Sequence, residues 1–229
     1  MHVRWEFPAG VVRDTGKRRV TSVQSLAVGD EPSPFWNGID AGERVASWTS
    51  SASPEWGVFA NDPKLNGPSG QALDKRYLDI LGIDRTEAWI TDCLDKYCGS
   101  DGQHSVVDFY SALSDSEGSL PPVNLAPHPD TKAIERLALE HTDRLAAELE
   151  LCQPDEVITL GVAACTVFAR LVDLRKDGPS RLTPSPSSYG RPVVARRRGR
   201  TMRWWPLAHP ATPKVYRDAH DAWMSARGL

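Results

Sequence analysis

The sequence predicts an α/β fold in three layers (α/β/α), with a central, mostly parallel sheet of four strands. Two segments carry this prediction. A helix over residues 71–81 leads into a strand over 88–91, and a strand over 157–160 runs through Gly161 into a helix over 162–174. Alternating strands and helices are typical of parallel sheets with helices on both faces.

The chain has 229 residues, of which 40% are hydrophobic, enough for the core of one domain. We expect residues 1–40 to form an irregular covering arm, because charges, prolines and glycines interrupt any period there, and residues 41–229 to form the core. The net charge of −3 gives no overall attraction for polyanions. Any nucleic-acid binding would therefore need a local basic patch.

The cysteines follow no disulfide framework, and no segment resembles a signal peptide or a membrane span. They are Cys93, Cys98, Cys152 and Cys165. We therefore expect a reduced, cytoplasmic protein that contacts no membrane and has no evident obligate protein partner.

The first half of the chain predicts a strand, a long loop and a helix in that order. Residues 44–51 predict the strand, because Val45, Ala46 and Trp48 lie between a glycine and a Ser-Pro cluster. Residues 50–70 have the composition of a loop throughout, and a loop this long more often has a function than not. The helix over residues 71–81 has an apolar stripe and a terminal glycine.

The strand predicted over residues 88–91 ends on a carboxylate, Asp92. Open α/β sheets bind ligands at the carboxyl ends of their strands, so we expect Asp92 to contact the substrate. The alternative is that Asp92 caps a helix or pairs with an arginine.

In the second half, residues 99–130 are rich in Gly, Ser, Asp and Pro and predict a surface excursion. Residues 131–152 predict one long amphipathic helix. After a polar linker over 175–190, two strands over 193–196 and 201–205 are predicted to turn at residues 198 and 199. The last helix is predicted to start after Thr212, with Pro213 in its first turn.

Three separated pieces of sequence carry a family resemblance. They are N-G-P-S-G-Q-A-L-D with L-D-I-L-G-I-D-R-T-E-A-W-I-T-D, then D-E-V-I-T-L-G-V-A-A, then P-L-A-H-P-A-T-P. In this order and spacing they resemble the uracil-DNA glycosylase superfamily over roughly residues 44–223. Enzymes of that fold flip a nucleotide out of the duplex, bind its base in a pocket and cleave the N-glycosidic bond.

The resemblance implies a role for His209, which matches the histidine of the family's last loop. A neutral imidazole there would donate to O2 of the base and stabilise the charge that develops as the base departs. The alternative is a structural histidine beside Pro210.

Asp92 stands where members that read uracil carry an asparagine. An ionised carboxylate only accepts hydrogen bonds, so it would be repelled by O4 of uracil but would accept from the N4 amine of cytosine. A protonated Asp92 would still allow uracil. The resemblance therefore implies a base of the cytosine type.

The first loop departs further from the family. S-S-A-S-P-E places Ser53 at the position of the catalytic acid or amide and Glu55 where an aromatic ring closes off C5 of the base, and Asp62 is a competing candidate. An open C5 side leaves room for a substituent. We therefore expect a glycosylase for C5-modified cytosine, such as the glucosylated hydroxymethyl form in phage DNA, acting in antiviral defence. The alternatives are uracil repair, a catalytically silent DNA-binding module, and a pocket for a free nucleoside or nucleotide.

The resemblance also implies contacts to DNA. Phe59 or Leu65 would cover the flipped base, and residues 210–213 would form a wedge. Phosphate contact beside the loop of His209 is expected from the start of the last helix, Lys214 and Arg217, and from the basic hairpin. The hairpin arginines, for which a solvated tip is the alternative, are Arg196, Arg197, Arg198, Arg200 and Arg203.

One branch of the superfamily binds an iron-sulfur cluster through four cysteines, two of them near the amino terminus. Cys98 could match one ligand, but the amino-terminal pair is missing. We therefore expect no metal and no cofactor.

Overall fold

The computed structural model describes residues 1–94, 98–117, 120–123, 125–127, 131–174, 188–210 and 214–227. Over these ranges the chain is mixed α/β and divides into two compact units. The first unit holds the described residues of 1–71 and 96–129, and the second holds those of 72–95 and 130–229. Among the described helices, none has the length and apolar character needed to cross a membrane.

Both units combine strands with helices. The strands are β1 (His2–Glu6), β2 (Arg13–Asp14), β3 (Arg19–Val20), β4 (Ser22–Ala27), β5 (Val58–Asn61), β6 (Cys98–Gly99), β7 (Ala126–Pro127), β8 (Glu156–Leu160), β9 (Asp173–Leu174), β10 (Val193–Arg197) and β11 (Arg200–Leu207). The helices are α1 (Ala41–Thr49), α2 (Pro68–Leu73), α3 (Asp79–Leu81), α4 (Asp101–Glu117), α5 (Thr131–Glu140), α6 (Thr142–Cys152), α7 (Val162–Leu171) and α8 (Lys214–Ser225).

The first unit is built on a three-stranded antiparallel sheet in the order β4-β1-β5. Trp5 of β1 is fully buried at its centre. The ring of Phe59 stacks on Trp5 with 5.2 Å between centroids, and Tyr110 of α4 meets Trp5 edge-on at 5.4 Å. The core of this unit is therefore aromatic and centred on β1.

The position of β1 makes the prediction of an irregular arm over residues 1–40 wrong. In β1 the buried side chains Val3 and Trp5 alternate with the exposed side chains Arg4 and Glu6. This is the period of two expected of a strand with one face on the core. The charged residues that interrupt the apolar pattern are its solvent face.

The strand predicted over residues 44–51 is also wrong, because α1 spans Ala41–Thr49. Its buried residues, Ala41 and Val45, are four positions apart and lie on one face of a helix. The helical period outweighs the strand preference of Val45 and Trp48.

The predicted surface excursion over residues 99–130 is wrong as well, since it contains the long helix α4. Tyr110 anchors this helix, because its side chain is buried and its hydroxyl donates to the carbonyl of Pro121 at 2.6 Å. The polar composition comes from the exposed positions of an amphipathic helix.

The second unit contains a four-stranded mixed sheet in the order β8-β11-β10-β9. The predicted strand number is confirmed, but β8 with β11 is parallel whereas β10 pairs antiparallel with both neighbours. The prediction of a mostly parallel sheet is therefore wrong. At the turn between β10 and β11, Arg198 and Gly199 have φ of 46° and 82°. Two residues with positive φ make the tight hairpin that joins antiparallel neighbours.

Other elements of this unit are confirmed. β8 leads through Gly161 into α7, and the helix predicted over residues 71–81 ends at Gly82 with φ of 67°. That helix includes a π-helical turn, Asp74–Leu78. The helix predicted over residues 131–152 is instead two helices, α5 and α6, which meet at His141.

The strand predicted over residues 88–91 is not observed, since these residues carry no sheet pairing in the structure. Residues 175–187 of the predicted linker and the predicted helix start at Thr212 and Pro213 lie outside the described residues.

Candidate active site

His209 lies at the carboxyl edge of the second unit's sheet, just beyond the end of β11. The last residues of the parallel strands β8 and β11, Leu160 and Leu207, pair with each other at this edge. Gly161 then donates its N–H to the carbonyl of Leu207 at 2.8 Å. A Cβ at position 161 would lie 3.2 Å from the Cβ of His209, and φ of Gly161 is 93°. A glycine therefore allows His209 to sit directly against the start of α7.

Burial keeps the imidazole of His209 neutral at physiological pH. Desolvation lowers its pKa below the ordinary 6.5, and the charge of Asp92 opposes part of this shift. A neutral imidazole presents one N–H donor and one acceptor nitrogen. His209 can therefore donate a hydrogen bond to a developing anion. The electrostatic effect also indicates that the charge of Asp92 acts on the imidazole of His209.

The backbone around Asp92 is held by a side chain of α6 rather than by a strand partner. Arg144 donates to the carbonyl of Asp92 at 2.6 Å and to the carbonyl of Cys93 at 3.4 Å. It also donates to the hydroxyl of Thr91 at 3.1 Å. The carboxylate of Asp92 is exposed, so the main chain is fixed while the acidic group faces solvent.

A second side chain of α6, Glu148, completes this anchor. It accepts from Arg144 at 2.5 Å and from the indole N–H of Trp89 at 3.3 Å. Burial alone would raise the pKa of Glu148, but hydrogen bonds from Thr91, Arg144 and Trp89 lower it. The carboxylate therefore stays ionised and pairs with the guanidinium of Arg144, which binds the backbone of Asp92.

Sequence reasoning does not identify Arg144 and Glu148. Their only sequence signal is a spacing of four residues on an amphipathic helix, which is ordinary for a surface ion pair. Arg136 and Glu140 of α5 have the same spacing and form such a pair at 3.4 Å.

Cys93 sits beside Asp92 but is not a nucleophile in this arrangement. Burial raises the pKa of its thiol to about 12, and the charge of Asp92 adds to the shift. The thiolate is the reactive form of cysteine, so the protonated thiol of Cys93 is inert at physiological pH.

The candidates from the first loop belong to the first unit. Ser53 precedes a 3-10 turn, Pro54–Trp56, and its carbonyl accepts from the N–H of Trp56 at 3.1 Å. Glu55 is exposed within that turn. The carboxylate of Asp62 accepts from the N–H of Lys64 at 2.9 Å, which makes it part of a local turn. The second unit alone brings together Asp92 and His209.

Of the two residues predicted to cover the base, Phe59 has another role. Its ring stacks on Trp5 and meets Trp48 edge-on with 5.3 Å between centroids. Phe59 thus packs against the core of the first unit, and contact of its ring with a base stays a prediction. Leu65 is half-buried in the turn after β5, and its N–H donates to the carbonyl of Asp62 at 2.9 Å.

The turn of the β10-β11 hairpin, with Arg198 and Arg200, lies at the opposite end of β11 from His209. The turn at Arg198 precedes β11 and His209 follows it, so they are about 25 Å apart at the usual rise of a strand. The arginines of the turn are therefore distant from the His209 loop, and phosphate contact by the hairpin stays a prediction. Four of the five arginines have acidic or amide partners within the unit. Arg197 and Arg198 bind Glu150, Arg200 binds Gln153, and Arg203 binds Glu156, while Arg196 is exposed.

Two other predicted phosphate contacts follow His209 closely in the chain. Lys214 and Arg217 are exposed in the first turn of α8, and Lys214 pairs with Asp218 at 2.6 Å. Residues 211–213 of the predicted wedge lie outside the described residues.

No cluster of three or more His, Cys, Asp or Glu side chains suited to a metal ion occurs in the part of the chain that the structure describes. Comparison of the chain with protein-family models, with curated proteins and with solved structures finds no significant match.

Proposed function

We propose that this chain is a DNA glycosylase that flips a pyrimidine nucleotide and hydrolyses its N-glycosidic bond to leave an abasic site. One observation supports the proposal most strongly: the second unit holds an exposed carboxylate, Asp92, whose charge acts on the neutral imidazole of His209 at the carboxyl end of β11. The three-layer arrangement of the uracil-DNA glycosylase superfamily is part of the same proposal.

In this mechanism Asp92 reads the edge of the base. An ionised carboxylate offers acceptors only, and cytosine presents its exocyclic N4 amine as a donor where uracil presents an acceptor. Because Arg144 binds the backbone carbonyl of Asp92, the main chain that carries the carboxylate would be held in place. Cytosine is therefore the preferred base.

His209 acts on the departing base. The bond between C1′ of the sugar and N1 of the base breaks, and its electron pair moves onto the base. The imidazole N–H donates to O2, where negative charge develops, and this stabilises the transition state. A water oxygen then bonds to C1′ and releases a proton. The departed base takes up that proton, so the hydrolysis balances.

The proposed substrate is a cytosine with a bulky C5 group in phage DNA, so the enzyme would act in antiviral defence. The first loop has Glu55 in place of the aromatic residue that closes the C5 side in the family, which favours this substrate over plain cytosine. The cysteines carry free thiols, and this suits the reducing cytoplasm in which we place the enzyme.

We assign the phosphate contacts beside the flipped nucleotide to Lys214 and Arg217. Both are exposed in the first turn of α8, and they follow His209 by only five and eight positions. Of the hairpin arginines, Arg198 and Arg200 are at the other end of β11 and already bind acidic or amide partners.

Release of free base from three DNAs tests the proposal. The purified chain is incubated with phage DNA whose cytosines carry glucosylated hydroxymethyl groups, with uracil-containing DNA and with plain DNA, and abasic sites are then cleaved and counted. We expect cleavage of the phage DNA alone, and its loss in His209→Ala. Cleavage of uracil DNA alone would indicate repair instead, and no release from any DNA would favour a binding module.

The same assay with Asp92→Asn tests the reading of the base. An amide can donate to a carbonyl as well as accept, so this variant should gain activity on uracil and lose activity on modified cytosine. Unchanged base preference would contradict the role given to Asp92.

A further inference from the structure

The residue before His209 is held by a buried chain of hydrogen bonds. Ala208 is fully buried, and its N–H donates to the hydroxyl of Tyr189 at 2.8 Å. Its carbonyl accepts from the hydroxyl of Tyr77 at 2.6 Å. The hydroxyl of Tyr189 in turn meets Nδ1 of His220 at 2.9 Å, and Nε2 of His220 meets the carbonyl of Arg76 at 3.1 Å.

The direction of each hydrogen bond in this chain is determined. A carbonyl can only accept, so Nε2 of His220 carries the proton that is donated to Arg76. A neutral imidazole then has Nδ1 as its acceptor, and the hydroxyl of Tyr189 donates to it. Burial lowers the pKa of His220 to about 4, in agreement with a neutral ring. The hydroxyl of Tyr189 is thus both an acceptor for Ala208 and a donor to His220.

Rigid elements support both tyrosine contacts. Tyr77 lies in the π-helical turn Asp74–Leu78, and its ring stacks on His220 with 4.4 Å between centroids. His220 belongs to α8, and Trp223 of the same helix donates to the carbonyl of Gly190, next to Tyr189, at 3.0 Å. Both polar groups of the Ala208 peptide are therefore fixed from two sides.

We propose that Tyr189 is a positioning residue for His209: its hydroxyl links the Ala208 amide to His220 and thereby sets the direction in which the chain enters His209. The imidazole of His209 is one residue away from the fixed peptide and packs against Gly161 on its other side. Removing the hydroxyl leaves a buried N–H and a buried ring nitrogen without their partner, and such groups move or admit water. The effect on catalysis rests on the proposed function, whereas the placement of His209 does not.

The test replaces Tyr189 by Phe and follows His209 directly by NMR. The titration and tautomer of the His209 ring are recorded, together with hydrogen exchange of the Ala208 amide. We expect the pKa of His209 in Tyr189→Phe to move towards its ordinary value, and the Ala208 amide to exchange at least about tenfold faster. Base release in a single turnover should fall about tenfold or more, with DNA affinity unchanged.

Tyr110→Phe is the matched control. It removes another buried tyrosine hydroxyl, one that donates to Pro121 at 2.6 Å in the first unit. It should lower stability by a similar amount but leave the titration of His209 as in the wild type. A structural role alone would make the two variants alike.

A second pair of variants keeps the test decisive if Tyr189→Phe does not fold. His220→Gln can accept from Tyr189 and donate to Arg76, whereas His220→Ala can do neither. We expect the wild-type titration of His209 in the Gln variant and a shifted one in the Ala variant. An unchanged His209 signal in both Tyr189→Phe and His220→Ala would overturn the inference. A shifted signal in a protein that releases no base would instead support the inference and contradict the proposed function.

Discussion

The protonation state of His209 decides whether it can act as proposed. The buried surroundings of His209 oppose an imidazolium cation and lower the pKa of the ring below 6.5. The side chain is therefore set up as a neutral donor. In this buried environment the imidazole N–H can donate to the base while the ring itself stays neutral.

The activity of the wild-type chain should therefore have an acid limb that lies below the ordinary histidine range. Base release in a single turnover should hold its rate as the pH falls from neutral through 6.5 and should decline only at lower pH, where the buried ring gains a proton. The measurement is the single-turnover rate as a function of pH.

The variant Asp92→Asn tests how the charge of Asp92 changes the pKa of His209. The charge of Asp92 raises the pKa of His209, so its removal should move the acid limb to still lower pH. Asp143→Asn removes an exposed carboxylate in the first turn of α6 and is the control. An acid limb above 6.5 in the wild type, or one that Asp92→Asn moves upward, would contradict the electrostatics of this site.

At the scale of elements, residues 88–91 have no sheet pairing in the structure, so a side chain of α6 holds the backbone of Asp92 instead. Arg144 makes hydrogen bonds to two backbone carbonyls, one hydroxyl and Glu148. Replacing Arg144 by Met keeps much of the apolar stem and removes every donor. We expect the amides of residues 89–94 to exchange faster, the free energy of unfolding to fall by about 1–3 kcal/mol, and base release to slow about tenfold or more.

Arg136→Met is the matched control for this change. Arg136 and Glu140 have the same spacing as Arg144 and Glu148, but their side chains are 68% and 58% exposed, against 32% and 20%. An exposed pair contributes little, so this control should change stability by less than about 1 kcal/mol. Arg144→Lys should restore only part of the function, because an ammonium lacks the planar fork of donors. Equal effects of the two Met variants would show that Arg144 does not position Asp92.

The sequence predicts those elements whose apolar period is plain. β8, α7 and the β10-β11 hairpin agree with it to within a few residues. It does not predict β1 or α4, because their exposed faces supply most of the charged and polar residues that suggested irregular chain. The antiparallel pairing of β10 with β11 follows from the tight turn at Arg198 and Gly199, which the alternation of strands and helices does not predict.

For the candidate site, the sequence predicts the side chains that face a ligand better than those that hold them. His209 and Asp92 stand out because each follows a short apolar run. Tyr189, His220 and Arg144 are far from them in sequence and carry no motif. Their roles arise from contacts between distant segments, which a single sequence does not reveal.

At the scale of the whole molecule, DNA binding should depend on the charges of α8 and not on those of the hairpin. Lys214→Ser with Arg217→Ser should reduce the slope of log affinity against log salt by about one for each lost phosphate contact. The control replaces Arg196, Arg198 and Arg200 by Ser, and it should leave the slope unchanged. Fluorescence anisotropy of a labelled oligonucleotide at several salt concentrations measures both. If only the hairpin variant had a lower slope of log affinity against log salt, the DNA contact would be assigned to the hairpin instead.

Each unit also carries a buried neutral histidine, His2 in the first and His220 in the second, and together they make the stability of the chain depend on pH. Burial lowers the pKa of each from 6.5 to about 4. Above 6.5 both histidines are neutral in the folded and unfolded states and contribute no pH dependence. Between 6.5 and about 4 the unfolded chain binds protons that the folded chain does not. The free energy of unfolding therefore falls as the pH falls through this window, by at most about 3 kcal/mol for each histidine.

Urea unfolding at several pH values, with hydrogen exchange resolved by peptide, measures this loss in each unit. His220→Gln removes one titrating group from the second unit while keeping an acceptor for Tyr189, so it should flatten the pH dependence there and leave the first unit as in the wild type. His2→Gln should do the reverse. If the wild type loses no stability between pH 6.5 and 4, these two histidines are not held neutral by the fold.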